Sequence, residues 1–257
     1  MIPNNSPWIH QLKRSRSVVP LSANATADVA IVGGGIAGIV TAFFTLRDTN
    51  KTVILLEADK IAHGATGHNA GQITSYFERP LSELVEEFGL ELAIDGQRSV
   101  ESAWTLIDQI MEEADLRTPL YRFTGYTGLS SFEQVLRHLK DNHCREEGGL
   151  QTEAMIVAEE WEERKNIPKA YAHLYGTVAH KDMLNLLETS NTGYVASLAF
   201  QKGCMNSALF TEELIGYLVA KYQDRCSLYE GSPVKIVRLK AAGGSLEVHG
   251  HTVAAGN

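Results

Sequence analysis

Asp28-Val29-Ala30-Ile31-Val32-Gly33-Gly34-Gly35-Ile36-Ala37-Gly38 is the stretch on which the fold turns. Val29 to Val32 are mostly apolar and read as a short buried strand. Three glycines follow at the spacing Gly33-x-Gly35-x-x-Gly38, and a helix opens at Ile36. A glycine pattern gains meaning in this strand–turn–helix context. Gly33 makes the tight turn, Gly35 lets a pyrophosphate approach the backbone, and Gly38 lets the helix pack against the sheet. The phosphate charge then sits at the helix N-terminus, where free N–H groups and the dipole favour an anion; Ile36 and Ala37 supply the first of those groups.

Outward from there, Ile36, Ile39, Val40, Phe43, Phe44 and Leu46 give the helix a broad apolar surface. Arg47-Asp48-Thr49-Asn50-Lys51 is a polar turn. Val53-Ile54-Leu55-Leu56 is a second buried strand, and it ends in Glu57. An acid at that place, about 20 residues past the glycines, accepts hydrogen bonds from an adenosine ribose. A βαβ unit with an incidental acid is the plainer reading. Strand, glycines, helix, strand and acid agree in order and length, which favours the dinucleotide.

The 257 residues allow one large domain or two small ones, and 44% hydrophobic residues support a sizeable core. A net charge of −8 and the lack of a basic block argue against a nucleic-acid partner. Cys144, Cys204 and Cys226 form no C-x-x-C motif, so neither a disulfide framework nor a cysteine zinc site is expected. No apolar run reaches the length of a membrane span, and a signal peptide is not evident. A cytoplasmic protein is the simplest expectation. Residues 1–27, with Pro3, Pro7 and Pro20, read as a polar, irregular arm pinned by Trp8 and Ile9. Its small basic cluster, Lys13, Arg14 and Arg16, reads as solvated, and nothing in the arm suggests chemistry.

After Glu57 and Ala58 comes a loop of small residues: Gly64-Ala65-Thr66-Gly67-His68-Asn69-Ala70-Gly71-Gln72-Ile73. Small side chains over that length mean that backbone comes close to something. The loop directly follows the ribose acid, so it is expected to be a second clamp on an extended dinucleotide rather than a mobile surface loop. Together, these motifs resemble the N-terminus of the D-amino-acid oxidase-like flavoproteins, which include glycine and sarcosine oxidases. That family pairs the glycine fingerprint and ribose Glu with a later G-A-[ST]-G-x-N-x-G segment. The resemblance implies FAD rather than NAD. It implies that Gly33, Gly35, Gly38 and Glu57 hold the ADP part. Gly64, Ala65, Thr66, Asn69, Gly71, Gln72 and Ile73 would line the phosphate, ribityl and flavin part. In some similar dehydrogenases a histidine corresponding to His68 bonds covalently to the flavin. A phosphate-facing or solvent-facing His is the plainer reading.

The remaining chain gives a coarser picture. Pro80 to roughly Leu116 reads as helical, with a break near Gly96. Tyr121 to Leu129 suggests strands, Ser130 is expected to cap a helix with Glu133 as partner, and a charged helix is expected around Ala158 to Arg164. Tyr171 to Val178 and Gly193 to Phe200 look like strands. Asn206-Ser207 caps a further helix, and short strands follow from Ser227 to Ala254. The expected fold class is α/β, a Rossmann-like FAD-binding domain with an inserted α+β substrate domain. Its segments are an arm at 1–27, the FAD-binding domain at 28–118 and 205–257, and the substrate domain at 119–204. By resemblance, Val234 holds the adenine through its main chain, and the inserted domain roofs the flavin. Tyr121, Arg122, Tyr126, Tyr171, Tyr175, His180 and Tyr194 are pocket candidates with packing roles as the plainer reading. His249 and His251 sit at i, i+2, as if on one strand face, but no third metal ligand is near, and no metal is expected.

The family continues into a long C-terminal half, so these residues are expected to be a fragment or one part of an assembly. A second dinucleotide fingerprint is lacking, which points to flavin reduced by a small organic substrate. The resemblance implies oxidation of the C–N bond of an amino acid or other small amine, with hydride passing to FAD and then electrons to oxygen or an electron carrier. No catalytic residue is singled out. Two other readings stay open: a non-catalytic FAD-binding subunit, and an NAD-dependent Rossmann dehydrogenase.

Overall fold

The computed structural model describes residues 6–241 and 243–256; Pro3, with the other residues of the first five, lies outside them. In chain order the elements are α1 (Pro7–His10), β1 (Ala25–Ala27), β2 (Val29–Val32), α2 (Ile36–Asp48), β3 (Val53–Leu56) and β4 (Gln72–Ile73). Then come α3 (Leu81–Phe88), α4 (Leu90–Glu101), α5 (Ala103–Glu113), β5 (Tyr121–Leu129), α6 (Phe132–Glu147), β6 (Ala154–Ala158), β7 (Gly176–Val178), α7 (His180–Leu186) and β8 (Ala196–Cys204). The last elements are α8 (Ser207–Lys221), β9 (Cys226–Tyr229), β10 (Val234–Leu239), β11 (Gly244–Val248) and β12 (His251–Ala255). By packing, the chain divides into two units. One takes the described residues of Met1–Gln72, Ile110–Leu120 and Met205–Asn257; the other takes Ile73–Gln109 and Tyr121–Cys204.

The first unit is built on a parallel sheet, β2-β3-β9, with Leu56 opposite Val32 on one side and Tyr229 on the other. All four residues of β3 are buried. An unbroken Val-Ile-Leu-Leu run without alternation is what a strand covered on both faces requires. One face receives α2, through Ile39, Phe43 and Leu46, and α8, whose Phe210, Leu214 and Leu218 are buried; Phe43 of α2 meets Tyr217 of α8 with ring centroids 6.3 Å apart. The other face packs Ile54 and Leu56 against Leu246, Val248 and Val253 of a four-stranded sheet, β1-β12-β11-β10. This is a three-layer, Rossmann-like unit whose sheet is completed by a segment returning some 170 residues later, between Leu55 and Leu228 for example.

The second unit is inserted into the first and is α+β. Strand β8 runs antiparallel between β5 and β6, and β7 adds parallel to β6. Helix α6 covers one face through Val135 and Leu139, which join Leu129, Met155, Val157 and Leu198 in a core. Ser131 caps α6 by accepting the Gln134 N–H, and Gln134 Oε1 in turn accepts the Ser130 N–H at 2.8 Å. The cap is therefore Ser131, one residue later than the Ser130 expected, and Gln134 rather than Glu133 reaches back, to Ser130.

Other expectations are also displaced. The helical region breaks at Gly89 (φ 84°) and Ser102, not at Gly96, which lies inside α4 where a Cβ would meet only Phe77 at 3.5 Å. The charged segment forms a 3-10 turn at Glu162–Asn166 instead of a helix around 158–164. Only Gly176–Val178 of the Tyr171 stretch is strand, and β8 begins at Ala196 rather than Gly193. The sequence reading carries the first nucleotide-domain segment to residue 118. Residues 73–109 pack instead with 121–204, with α3 tied to α6 where Asp141 accepts the Ser82 N–H and O–H at 2.8 and 2.6 Å. Among the described residues, no helix is long and apolar enough to cross a membrane.

Candidate functional site

The glycine turn closes at the C-terminal edge of the parallel sheet, where open α/β sheets place their ligands. Gly33 has φ 103°, a conformation that side chains rarely adopt, and donates its N–H to Leu56 O at 2.8 Å. A Cβ on Gly38 would stand 2.1 Å from Gly33 O, so helix and turn touch through backbone alone. Gly34, which the spacing leaves as an unassigned x, is no freer: a Cβ there would meet Ile61 Cδ1 at 2.2 Å. Gly35 is the N-cap of α2 and offers no side chain to cap it. Thr66 Oγ1 accepts the Ile36 N–H at 2.9 Å, while the Ala37 and Gly38 N–H groups belong to the first turn, which has no intrahelical acceptors.

Glu57 is clamped at the tip of β3. Its Oε2 accepts the Gly34 N–H at 2.6 Å and its Oε1 the Asp59 N–H at 2.9 Å. Its own N–H donates to Tyr229 O, and Ser232 N–H donates to Glu57 O. A carboxylate has about four acceptor sites, so roughly two remain for hydroxyls on its open side. Ala58 follows Glu57 directly. Val234 starts β10 and packs in the core cluster that also holds Leu56 and Tyr229.

The second small-residue stretch folds into a 3-10 turn at Ala65–Gly67. Asn69 organises it. Its Nδ2 donates to Thr66 O and Ser207 Oγ, both at 2.9 Å, and its Oδ1 accepts the Gly71 N–H at 2.7 Å. His68 Nδ1 lies 2.7 Å from Gly64 O. Ala70 joins Asn69 to Gly71, and Gln72 and Ile73 continue as β4. The glycines here differ in what demands them. A Cβ on Gly64 would meet nothing within 4 Å. One on Gly67 would stand 2.4 Å from Ala62 O and 2.7 Å from Ile9 Cδ1, and one on Gly71 would stand 2.7 Å from Trp8 Cζ2 and 2.8 Å from Met205 O. The N-terminal arm and neighbouring backbone together fill those two places. Ser6, Trp8, Ser207 and Gly34 thus belong to the site, although only Trp8 and Ile9 had a signal in the sequence, as apolar residues in a polar arm. Arg14 and Arg16 correct the reading of a solvated cluster: their side chains are 14% and 22% exposed and both pair with carboxylates.

In the second unit, cavities of about 300 and 650 Å³ share Tyr76, Arg145, Glu153 and Phe200 in their walls. Burial pushes the Glu153 carboxyl up and the His138 imidazole down. Of the aromatic and polar pocket candidates, Arg122 lines the larger cavity. Tyr121 and Tyr126 are exposed, Tyr171 and Tyr175 pack on the α6 core, and Tyr194 lies over Gly128. His180 Nε2 is 2.7 Å from Tyr194 O. In the first unit, His249 and His251 do not share a strand face: His249 sits in the β11–β12 turn at φ 51°, beside Gly231 O, and His251 opens β12.

Comparisons with known proteins give this geometry a family. The family model described as FAD-dependent oxidoreductase matches residues 28–256. Gamma-glutamylputrescine oxidoreductase of Escherichia coli (strain K12) is 34% identical over 73 residues, covering 28% of this chain and 17% of that protein. The probable oxidoreductase OrdL of Haemophilus influenzae is 34% identical over 128 residues, covering 48% and 29%. Glycine oxidase from Geobacillus kaustophilus superposes with a TM-score of 0.59 at 18% identity, over 90% of this chain and 54% of that one. An L-amino acid deaminase from Proteus vulgaris gives 0.62 at 15%, over 94% and 54%. At such identities the likeness is one of fold, and the chain spans about half the length of these structures. The match over 28–256 settles the family: the chain belongs to the FAD-dependent oxidoreductases.

Proposed function

We propose that FAD lies along the turn and loop of the first unit, and that the protein oxidises the C–N bond of an amino acid or other small amine. What supports the cofactor's placement is open room beside the loop, next to first-turn N–H groups of α2 that have no intrahelical acceptors. Gly64 has a negative φ, and among the described residues nothing lies within 4 Å of where its Cβ would be. A ligand can occupy that room. In this reading the N–H groups at Ile36, Ala37 and Gly38 face the pyrophosphate, with Thr66 sharing the first of them. Gly33 and Gly35 keep side chains out of its path. Glu57, held rigid by two backbone N–H groups, keeps acceptor capacity for the ribose hydroxyls. Val234 holds the adenine through its main chain. Gly64, Ala65, Asn69, Gly71, Gln72 and Ile73 line the remainder, and His68 flanks it.

When bound, FAD supplies the acceptor for a hydride. The chain's own work is to hold it, fix its orientation and exclude water. The amine substrate is supported by the solved neighbours, which act on glycine and on L-amino acids by their titles, and by gamma-glutamylputrescine oxidoreductase among the relatives. The family match favours FAD over the nicotinamide alternative. One second reading has an observation behind it. The chain spans about half of its structural neighbours, so it can be one part of a catalytic whole. The test is the visible spectrum of the full-length protein before and after an anaerobic panel of amino acids and amines. The expected result is bleaching of the flavin bands by one class of amine. A yellow protein that no member bleaches would leave FAD binding standing and remove the amine oxidation. Acid precipitation decides His68: colour left wholly in the supernatant excludes a covalent bond.

A further inference from the structure

We propose that the N-terminal arm, Ser6 to Arg16, is a wall of the cofactor site whose docking is coupled to FAD binding. The proposal rests on the cofactor placement above. Two independent sets of contacts carry it, and both end on the backbone that this placement sets against FAD.

The first set grips the Gly64–Gly71 loop. Ser6, 8% exposed, donates its hydroxyl to Gly67 O. Trp8 Nε1 donates to Asn69 O at 2.6 Å, and Asn206 Nδ2 donates back to Trp8 O at 3.1 Å. Ile9 and Trp8 share with Ala62 O and Met205 O the space that side chains at Gly67 and Gly71 would need. The arm is thus one part of the mould for the loop.

The second set reaches the glycine turn from the other side. Glu230 follows β9, and Glu57 follows β3, so the register Leu56↔Tyr229 sets two carboxylates at the ends of adjacent parallel strands. Glu230 is buried, at 1% exposure. Its Oε1 accepts the Ile61 N–H at 2.8 Å, and its Oε2 accepts from Arg14 and, at 2.6 Å, from Arg16 Nη1. Arg16 Nη2 also donates to both oxygens of Glu212, at 2.8 and 2.9 Å. Ile61 in turn fills the space beside Gly34, whose N–H holds Glu57. The route runs Arg14 and Arg16, Glu230, Ile61, Gly34, Glu57. Without the arm, Glu230 keeps the Ile61 N–H but loses both guanidinium partners, which leaves a carboxylate without an ion pair at the strand end beside Glu57, near the proposed pyrophosphate.

Coupling of this kind is reciprocal: whatever the docked arm adds to FAD affinity, FAD adds to arm docking. Two measurements test it on the whole chain. FAD dissociation constants are taken by flavin fluorescence for the wild type, Trp8→Ala, Arg14→Ala/Arg16→Ala, and the same pair with Glu230→Gln. The expected result is a weakening of about tenfold or more for the first two variants, in the usual range of coupling between sites, and recovery in the third as the stranded charge is removed. Trypsin cleavage at Lys13, Arg14 and Arg16 is then followed in the wild type, with and without FAD, which needs no variant to fold. FAD is expected to slow arm cleavage several-fold. Folded variants that bind FAD within about twofold of wild type, or arm cleavage indifferent to FAD, overturn the proposal alone. A wild type that binds no FAD contradicts the cofactor placement as well. Failure of Glu230→Gln to rescue would overturn the charge-neutralising half.

Discussion

Gly38 and Gly64 belong to two regions of the proposed site, the glycine turn and the small-residue loop, and what presses on them is opposite. At Gly38 the next backbone is already in contact, so nothing larger than hydrogen fits. At Gly64 nothing among the described residues comes within 4 Å of a Cβ. Gly71 lies between these extremes: its space is shared by Met205 O and by Trp8, which arrives from the arm. Glycine therefore marks three different demands here, which are fold closure, ligand room and a socket for another part of the chain. Substitution by alanine separates them.

The largest effect is expected at the closed end. Gly38→Ala places a methyl against Gly33 O, a backbone atom that cannot swing away, and should cost about 3 kcal/mol or more of stability. Denaturant unfolding measures it; a loss below about 0.5 kcal/mol, the range of an ordinary surface change, would break the account of helix–turn contact. Next comes the arm. Arg14→Ala/Arg16→Ala leaves Glu230 buried and unpaired and should cost about 3 kcal/mol at neutral pH, against near-wild-type stability when Glu230→Gln is added. Gly71→Ala is expected to cost about 2 kcal/mol, from a φ of 69° and the collision with Trp8. Adding Trp8→Ala should remove part of that cost, and strictly additive losses would show that Trp8 does not press on Gly71.

A pH dependence follows from the same network. Burial alone would raise the Glu230 carboxyl, but the Ile61 N–H and the guanidinium groups of Arg14 and Arg16 outweigh it and hold the carboxyl below its ordinary value of 4.5. A depressed folded-state value means that the contribution is complete above 4.5 and is lost as pH falls through the lower value. The melting-temperature gap between wild type and Glu230→Gln should therefore be constant near neutrality and narrow in acid below 4.5. A gap that widens in acid has the wrong sign.

How much of this the chain announces depends on distance along it. The run from Val29 to Glu57 reads correctly element by element, although β2 is less covered than a buried strand: only Ile31 is buried and Val32 is 54% exposed. Strand, turn, helix and strand there are local, and each glycine's task follows from its neighbours. The capping of α8 by Asn206 is legible for the same reason. Short-range competition blurs the α6 start, where Ser130 and Ser131 are both capping residues and packing selects the second. The helix break shows a similar limit. Gly89 and Gly96 look alike in sequence, and only the positive φ at Gly89 tells them apart. The arm is different in kind. Ser6 meets a carbonyl 61 residues away and Arg14 a carboxylate 216 residues away, and no periodicity encodes such pairs. Thus Gly67 and Gly71 carry a signal of close approach without saying that a tryptophan and an isoleucine make it.

The smallest stability change is expected at the open end, and it bears most directly on where the cofactor lies. Among the described residues a Cβ at Gly64 meets no neighbour within 4 Å, so Gly64→Ala, and Gly64→Val as far as its Cβ, should alter stability by no more than about 0.5 kcal/mol. FAD titration of the folded Gly64→Val protein is the decisive measurement. Loss of FAD affinity of about tenfold or more, with unfolding unchanged, is the outcome expected if the cofactor passes over this backbone. A Gly64→Val protein that binds FAD as tightly as the wild type would contradict it.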